Sequence, residues 1–193
     1  LIPLLRRRGE KVVLQAVPKP STKPSRNTTI MVLFLATLGT VFLSGYLLST
    51  DILGAMMFTG AIMAILGSHE MGHKLLADKH AVEATYPYFI PGLPPIGTFG
   101  AVIQQKSLPP NKDALFDLGF AGPVAGFIVS IIVTFIGVQL SIIVPSSEAE
   151  GVFIQVPLLF RFIVVLFPPS GTGDVIQLHP VAFAGWVGMI VTM

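Results

Sequence analysis

Residues 52–79 read ILGAMMFTGAIMAILGSHEMGHKLLADK, and this stretch decides the architecture. From Ile52 to Ser68 no side chain is charged; His69, Glu70 and His73 then fall within five positions. On a helix, His69 and His73 stand at i and i+4, on one face and about one turn apart. That spacing suits two ligands on one tetrahedral Zn²⁺. Glu70 points elsewhere on the helix and can take a proton from metal-bound water. An ionisable side chain near the centre of a membrane helix costs about 2.5–3.5 kcal/mol on insertion scales, and less near its end. Three in five positions therefore call for a function. The competing explanation is a helix end where polar groups meet lipid headgroups, with Lys74 reaching to the interface. It gives no reason for the His-Glu-x-x-His spacing. A zinc hydrolase helix at membrane depth points to proteolysis within the bilayer.

Composition extends this reading to the whole chain. Of its 193 residues, 52% are hydrophobic and 11% charged, against about 25% charged in a soluble domain. The fold class expected is mainly α, a polytopic transmembrane helical bundle. There is no cysteine, so any metal must be held by histidine and carboxylate rather than thiolate. Seven of the twelve Lys and Arg residues precede residue 27. That stretch has no aromatic residue and leads into an apolar run, so it reads as a cytoplasmic flank rather than a nucleic-acid surface. No cleavable signal peptide is evident, since the basic region is long and rich in proline.

Working outward, residues 1–29 read as the end of an extramembrane region and a linker, and residues 30–193 as an intramembrane metalloprotease core. Ile30–Thr50 is a first span, Asp51 marks a tight turn, and Ile52 to about Ala77 is the second span. Residues 84–112 hold six prolines and three glycines, a density that no helix survives. Within them, Thr98–Gln105 reads as a short strand, with Gly100 permitting close backbone approach. Ala114–Val144 is a third span, long enough to tilt. Gly151–Phe167 is short and contains Arg161, and is expected to be interfacial or re-entrant. His179–Met193 begins a further span. The chain starts without Met and stops 15 residues into that span, so it is expected to be part of a longer protein. Charge bias places the basic end on the cytoplasmic side. Ser68 then lies about 25 Å from the outer end of the second span, which puts His69 in the cytoplasmic half, just inside the hydrocarbon.

Other candidates rank lower. His80 reads as a solvated loop residue and Glu83 as a loop acid. Asp113 suits a helix N-terminus. Asp117, one turn deeper, is a candidate ligand or a contact behind one. His179 precedes Pro180 on the opposite side, too far away to ligate. Gly122 and Gly126 have the G-x-x-x-G spacing of close helix packing, and Gly72 leaves room for a near neighbour. Together they suggest that the third span lies against the metal helix.

Four motifs in order resemble the site-2 protease family of intramembrane zinc metalloproteases, closest to its archaeal, cyanobacterial and plastid branch. They are His69-Glu70-Met71-Gly72-His73, PYFIPGLPPIGTFGAVIQQ at 87–105, LGFAGPVAG at 118–126 and HPVAFAGWVG at 179–188. The resemblance implies Zn²⁺ as cofactor, His69 and His73 as ligands and Glu70 as the catalytic base. It implies a third ligand, an aspartate in a Leu-Asp-Gly motif on the next core helix, expected beyond Met193. The fragment alone is therefore expected to bind zinc weakly and not to be a competent protease. It further implies a membrane-associated β segment after the metal helix, with Thr98, Phe99, Gly100, Ala101 and Val102 presenting an edge to substrate. The implied partners are a transmembrane protein substrate and the lipid bilayer. A prokaryotic cell membrane is the first expectation for location and a plastid membrane the second. Two other classes stay open: an inactive family member acting as scaffold or chaperone, and a prenyl-protein endopeptidase type with a glutamate as third ligand.

Overall fold

The computed structural model describes residues 2–9, 11–17, 27–149 and 153–192. Three helices are long and apolar enough to cross a membrane: α1 (Asn27–Ser49), α2 (Ile52–Lys79) and α3 (Lys112–Leu140). The protein is a mainly helical, polytopic membrane protein, as composition predicts. Many of its large apolar side chains face outward, among them Leu35, Leu47, Met56, Phe116 and Ile132. In a bilayer such surface meets lipid instead of water. A hairpin of β1 (Ile2–Arg8) and β2 (Lys11–Val17) precedes α1, where only an extramembrane tail was expected. The expected linker at 18–26 lies outside the described residues.

Side-chain caps define where the helices start. Asp51 accepts from the Gly54 amide at 2.8 Å to open α2, and Asn111 accepts from the Ala114 amide at 2.7 Å to open α3. His179 Nδ1 accepts from the Val181 amide at 3.2 Å, with Pro180 at the first position of α5 (Pro180–Val191). Each cap satisfies an amide that the helix leaves unpaired. Only Thr50 and Asp51 separate α1 from α2, so the two run antiparallel. Thr50 takes a left-handed backbone conformation, φ 57°, to make the reversal.

Two expectations of extent are corrected. The third span ends at Leu140, and Ile142–Val144 forms β5. Ser141 breaks the helix there. Its hydroxyl donates to the Gly137 carbonyl and accepts from the His179 amide. A run of apolar residues carries no signal for that exit. The strand expected at Thr98–Gln105 is shorter: β4 covers Thr98–Val102 and pairs antiparallel with β3 (Tyr88–Pro91), while Gln105 makes an isolated bridge to Ala84. In the segment expected to be interfacial, α4 (Leu158–Leu166) is a nine-residue helix. After it, β6 (Ser170–Gly171) and β7 (Val175–Gln177) flank β5 in the order β6-β5-β7. This small sheet ties the end of α3 to the start of α5. The twelve residues of α5 extend about 18 Å.

The core lies where α1, α2, α3 and α5 meet. Val41, Phe58, Ile62, Ile65, Val133, Ala184 and Val187 are buried together. A second cluster of Val138, Phe160, Ile163, Ala182 and Met189 joins α4 to α3 and α5. Small residues allow the close contacts. A Cβ at Gly137 would strike the Ala182 backbone, and one at Gly185 would strike Thr134. The β3–β4 hairpin docks on α1, where Phe89 meets Phe34 edge to face at 5.4 Å. Gly97 lies against the backbone of Thr40 and Val41. Helix pairs packed at this distance cannot absorb a branched side chain without backbone movement. Gly137→Val is expected to lower the detergent unfolding midpoint by several degrees, whereas the exposed Ile132→Val change should leave it almost unmoved. Thermal unfolding of the purified protein checks this.

Candidate active site

The His-Glu-x-x-His segment lies in the last third of α2, against α3. The contact is made through glycine on both helices. A Cβ on Gly72 would lie 2.6 Å from the Ala121 carbonyl oxygen, one on Gly122 would overlap the His73 imidazole, and one on Gly126 would stand 3.0 Å from His69 Cβ. The small-residue spacing noted in α3 thus seats the two histidine rings directly on the helix backbone. Gly126 also accommodates the Thr192 methyl, which brings the end of α5 to the same place.

This packing holds the imidazoles in position. His73 Nδ1 lies 2.6 Å from the Leu118 carbonyl. A carbonyl only accepts, so Nδ1 carries the proton and donates, which leaves the Nε2 lone pair free. His73 Nε2 stands 3.2 Å from His69 Nε2, with the ring planes 71° apart. Two nitrogens each about 2.0–2.1 Å from one tetrahedral Zn²⁺ would be about 3.3–3.4 Å apart. The residues present therefore fit two ligands of a zinc site, and Leu118 supplies the outer hydrogen bond that orients one of them. Among the described residues no group of three His, Cys, Asp or Glu side chains is placed to hold a metal.

Glu70 is only 7% exposed, and it lines a cleft of about 360 Å³ together with His73. The remaining walls come from the end of α2 (Ala77), the following loop (Ala84), the N-terminal part of α3 (Leu115, Leu118, Gly119) and the chain at and after the end of β4 (Ala101, Val102, Ile103, Gln105). A carboxylate on the wall of a cleft beside two convergent imidazoles can exchange a proton with a molecule held there.

The five residues expected to present an edge to substrate divide. Ala101 and Val102 line the cleft, while Thr98, Phe99 and Gly100 do not. Thr98 is buried, and its hydroxyl donates to the Ile90 carbonyl at 2.8 Å and accepts from the Gly100 amide at 3.0 Å. It fixes the hairpin. Phe99 is 73% exposed. Among the described residues β4 pairs only with β3, so its other edge has no strand neighbour.

Two weaker candidates pair with one another. His80 is not simply a solvated loop residue: its Nε2 lies 2.9 Å from Asp117 Oδ2, so Asp117 faces His80. The pair ties the C-terminus of α2 to α3 one residue before Leu118. Separated by 37 positions, it left no trace in local sequence. Lys74 pairs with Asp78, and its ammonium lies 5.6 Å from the centre of the Tyr86 ring, drawing the loop back over the metal helix. Asp113 stands in the first turn of α3, as expected of an acid at a helix N-terminus, and Asn111, which sequence reasoning did not single out, is the N-cap. The Leu118 carbonyl is backbone and has no sequence signal.

With this geometry in hand, comparison places the chain in a class. Residues 57–193 match the model of Peptidase family M50, and the chain belongs to that family. The resemblance to site-2 proteases is thereby borne out. The probable zinc metalloprotease EGY1, chloroplastic, of Arabidopsis thaliana is 33% identical over 147 residues, covering 72% of this chain and 26% of the relative. The probable zinc metalloprotease EGY2, chloroplastic, of the same plant is 28% identical over 206 residues, covering 94% of this chain and 36% of the relative. The rice (japonica) EGY1 is 34% identical over 140 residues, covering 68% of this chain and 24% of the relative. The chain thus spans about a quarter to a third of the length of these relatives. No solved structure matches it.

Because Gly122 touches the His73 ring, Gly122→Ala is expected to turn that imidazole away from His69. The loss in zinc affinity should be about 10–100-fold, the range seen when support behind a ligand is removed. Competition with a chromogenic chelator on the purified full-length protein measures it.

Proposed function

We propose that residues 30–193 form the core of an intramembrane zinc endopeptidase that hydrolyses transmembrane helices of other proteins. One observation carries the reading. Two imidazole nitrogens converge at 3.2 Å on a helix of span length, beside a buried glutamate that opens on a cleft. Ionisable groups at such depth are retained for function. The family and the printed names of the EGY relatives supply the same chemistry.

His69 and His73 would hold Zn²⁺ through Nε2, with His73 kept in one tautomer by Leu118. When bound, the metal would polarise a peptide carbonyl and make water acidic enough to attack it near neutral pH. Glu70 takes the proton from the attacking water and delivers it to the departing amine nitrogen. The peptide C–N bond breaks to give a carboxylate and an amine. A substrate helix must first unwind, because its carbonyls are tied up in helical hydrogen bonds. The unpaired edge of β4 offers backbone partners to an extended segment, next to the cleft wall made by Ala101 and Val102. Irregular backbone at membrane depth is tolerated where protein or water covers it, and on this reading β3 and β4 are membrane-associated.

For location, the EGY relatives are all named chloroplastic. The expectation of a prokaryotic cell membrane finds no support in them, and we place the protein in a plastid membrane.

Glu70→Gln removes the base while preserving shape. In the full-length protein it is expected to reduce cleavage of a transmembrane reporter by at least about a hundredfold and to leave the zinc content intact. Gel analysis of reporter fragments and elemental analysis of the same samples check both. Cleavage at the parental rate by the variant contradicts the assignment.

A further inference from the structure

The four glycines of α3 are not alike. At Gly122, Gly126 and Gly137 a Cβ would collide with His73, with Thr192 and His69, or with Ala182. At Gly119 a Cβ would meet nothing within 4 Å. Packing explains three of these glycines and not Gly119, in the interior of a helix where glycine is a poor former; Gly39, Gly60 and Gly67 of α1 and α2 are equally open, but of these four only Gly119 lines the cleft. Pro123, four residues on, gives a reason for backbone freedom at Gly119 but none for the open space beside its Cβ. A proline ring presses on the carbonyl of residue i−4, not on its Cβ.

What lies beside Gly119 is the cleft that opens on Glu70 and His73. Three more of its lining residues are short, Ala77, Ala84 and Ala101, contributed by three separate segments. Val102, Ile103, Leu115 and Leu118 make most of the remaining lining apolar, and Glu70, His73 and Gln105 are its polar groups. Its volume, about 360 Å³, lies at the lower end of the ~300–1,000 Å³ range of small-molecule sites. That is room for a large side chain and too little for an intact helix of about 10–12 Å diameter.

We propose that Gly119 and Ala101 are specificity-determining residues, keeping open a pocket that takes one large apolar side chain of the substrate beside the scissile bond. This deepens the proteolytic reading and rests on it. A segment lying along β4 in extended form projects alternate side chains to opposite faces. One entering this cleft would sit within reach of Glu70. Leucine and phenylalanine, abundant in transmembrane segments, match its lining, while alanine would leave it underfilled.

The test uses the full-length protein in detergent, as the unsubstituted parent of the variants, with matched transmembrane reporters whose cleavage site is mapped by mass spectrometry. The residues flanking the scissile bond are varied among Ala, Leu and Phe. At one flanking position the parent should prefer Leu or Phe over Ala by about tenfold or more in kcat/KM, as a hydrophobic pocket discriminates. Gly119→Leu should fill the pocket and lower that large-to-small ratio by at least about tenfold, with Gly119→Ala in between. Ala101→Leu, on the opposite wall, should shift the ratio the same way. The unfolding midpoint of each variant is measured alongside, and the ratio is independent of how much protein is folded. A parental enzyme without size preference, or variants that lower all reporters equally, overturns the pocket and leaves the protease reading standing. A parental enzyme that cleaves no reporter of the series overturns the protease reading and the pocket with it.

Discussion

The structure depends on how closely α2 and α3 approach one another. Gly72 on one helix and Gly122 and Gly126 on the other bring backbone against backbone, and the His69 and His73 rings lie in the groove that results. Lipid supplies little hydrophobic force between helices, so association relies on close van der Waals packing and hydrogen bonds. The glycine contact provides the first, and the His73–Leu118 bond provides one of the second. The same contact that joins the helices also orients the His69 and His73 imidazoles. A side chain at any of the three glycines would loosen the bundle and misplace an imidazole together.

Around that contact the remaining elements build an enclosure. The His80–Asp117 pair and the Ala77–Val82–Leu118 cluster close the end of α2 onto α3. The β3–β4 hairpin, anchored on α1 by Phe89 and Gly97, brings Ala101 and Val102 opposite the helices. At the far end Asp51, Ser141 and His179 serve only as caps and turn contacts.

The parts of this arrangement written in the sequence are those with a local period or a fixed spacing. The second span was legible because an uncharged run of span length ends in His-Glu-x-x-His, and i, i+4 spacing fixes a shared face. The tight turn at Asp51 and the interruption at 84–112 follow from residues with one conformational consequence. The end of α3 was misplaced because Ile142–Val144 is as apolar as the helix before it, and only the Ser141 contacts mark the exit. The hydrogen bond to Leu118 and the pairing of His80 with Asp117 come from tertiary approach, which no spacing rule encodes. Thr98 was grouped with Ala101 and Val102 through the resemblance, which assigns the strand as a whole. Its hydroxyl bonds within the hairpin separate it from Ala101 and Val102.

The central claim is that His69 and His73 converge on one metal ion. X-ray absorption at the zinc edge, on the purified full-length protein, tests it most directly. The account predicts a four-coordinate site with two imidazole ligands at about 2.0–2.1 Å, lost when either histidine is replaced by alanine. A zinc shell without imidazole, or one unchanged by His73→Ala, would contradict it.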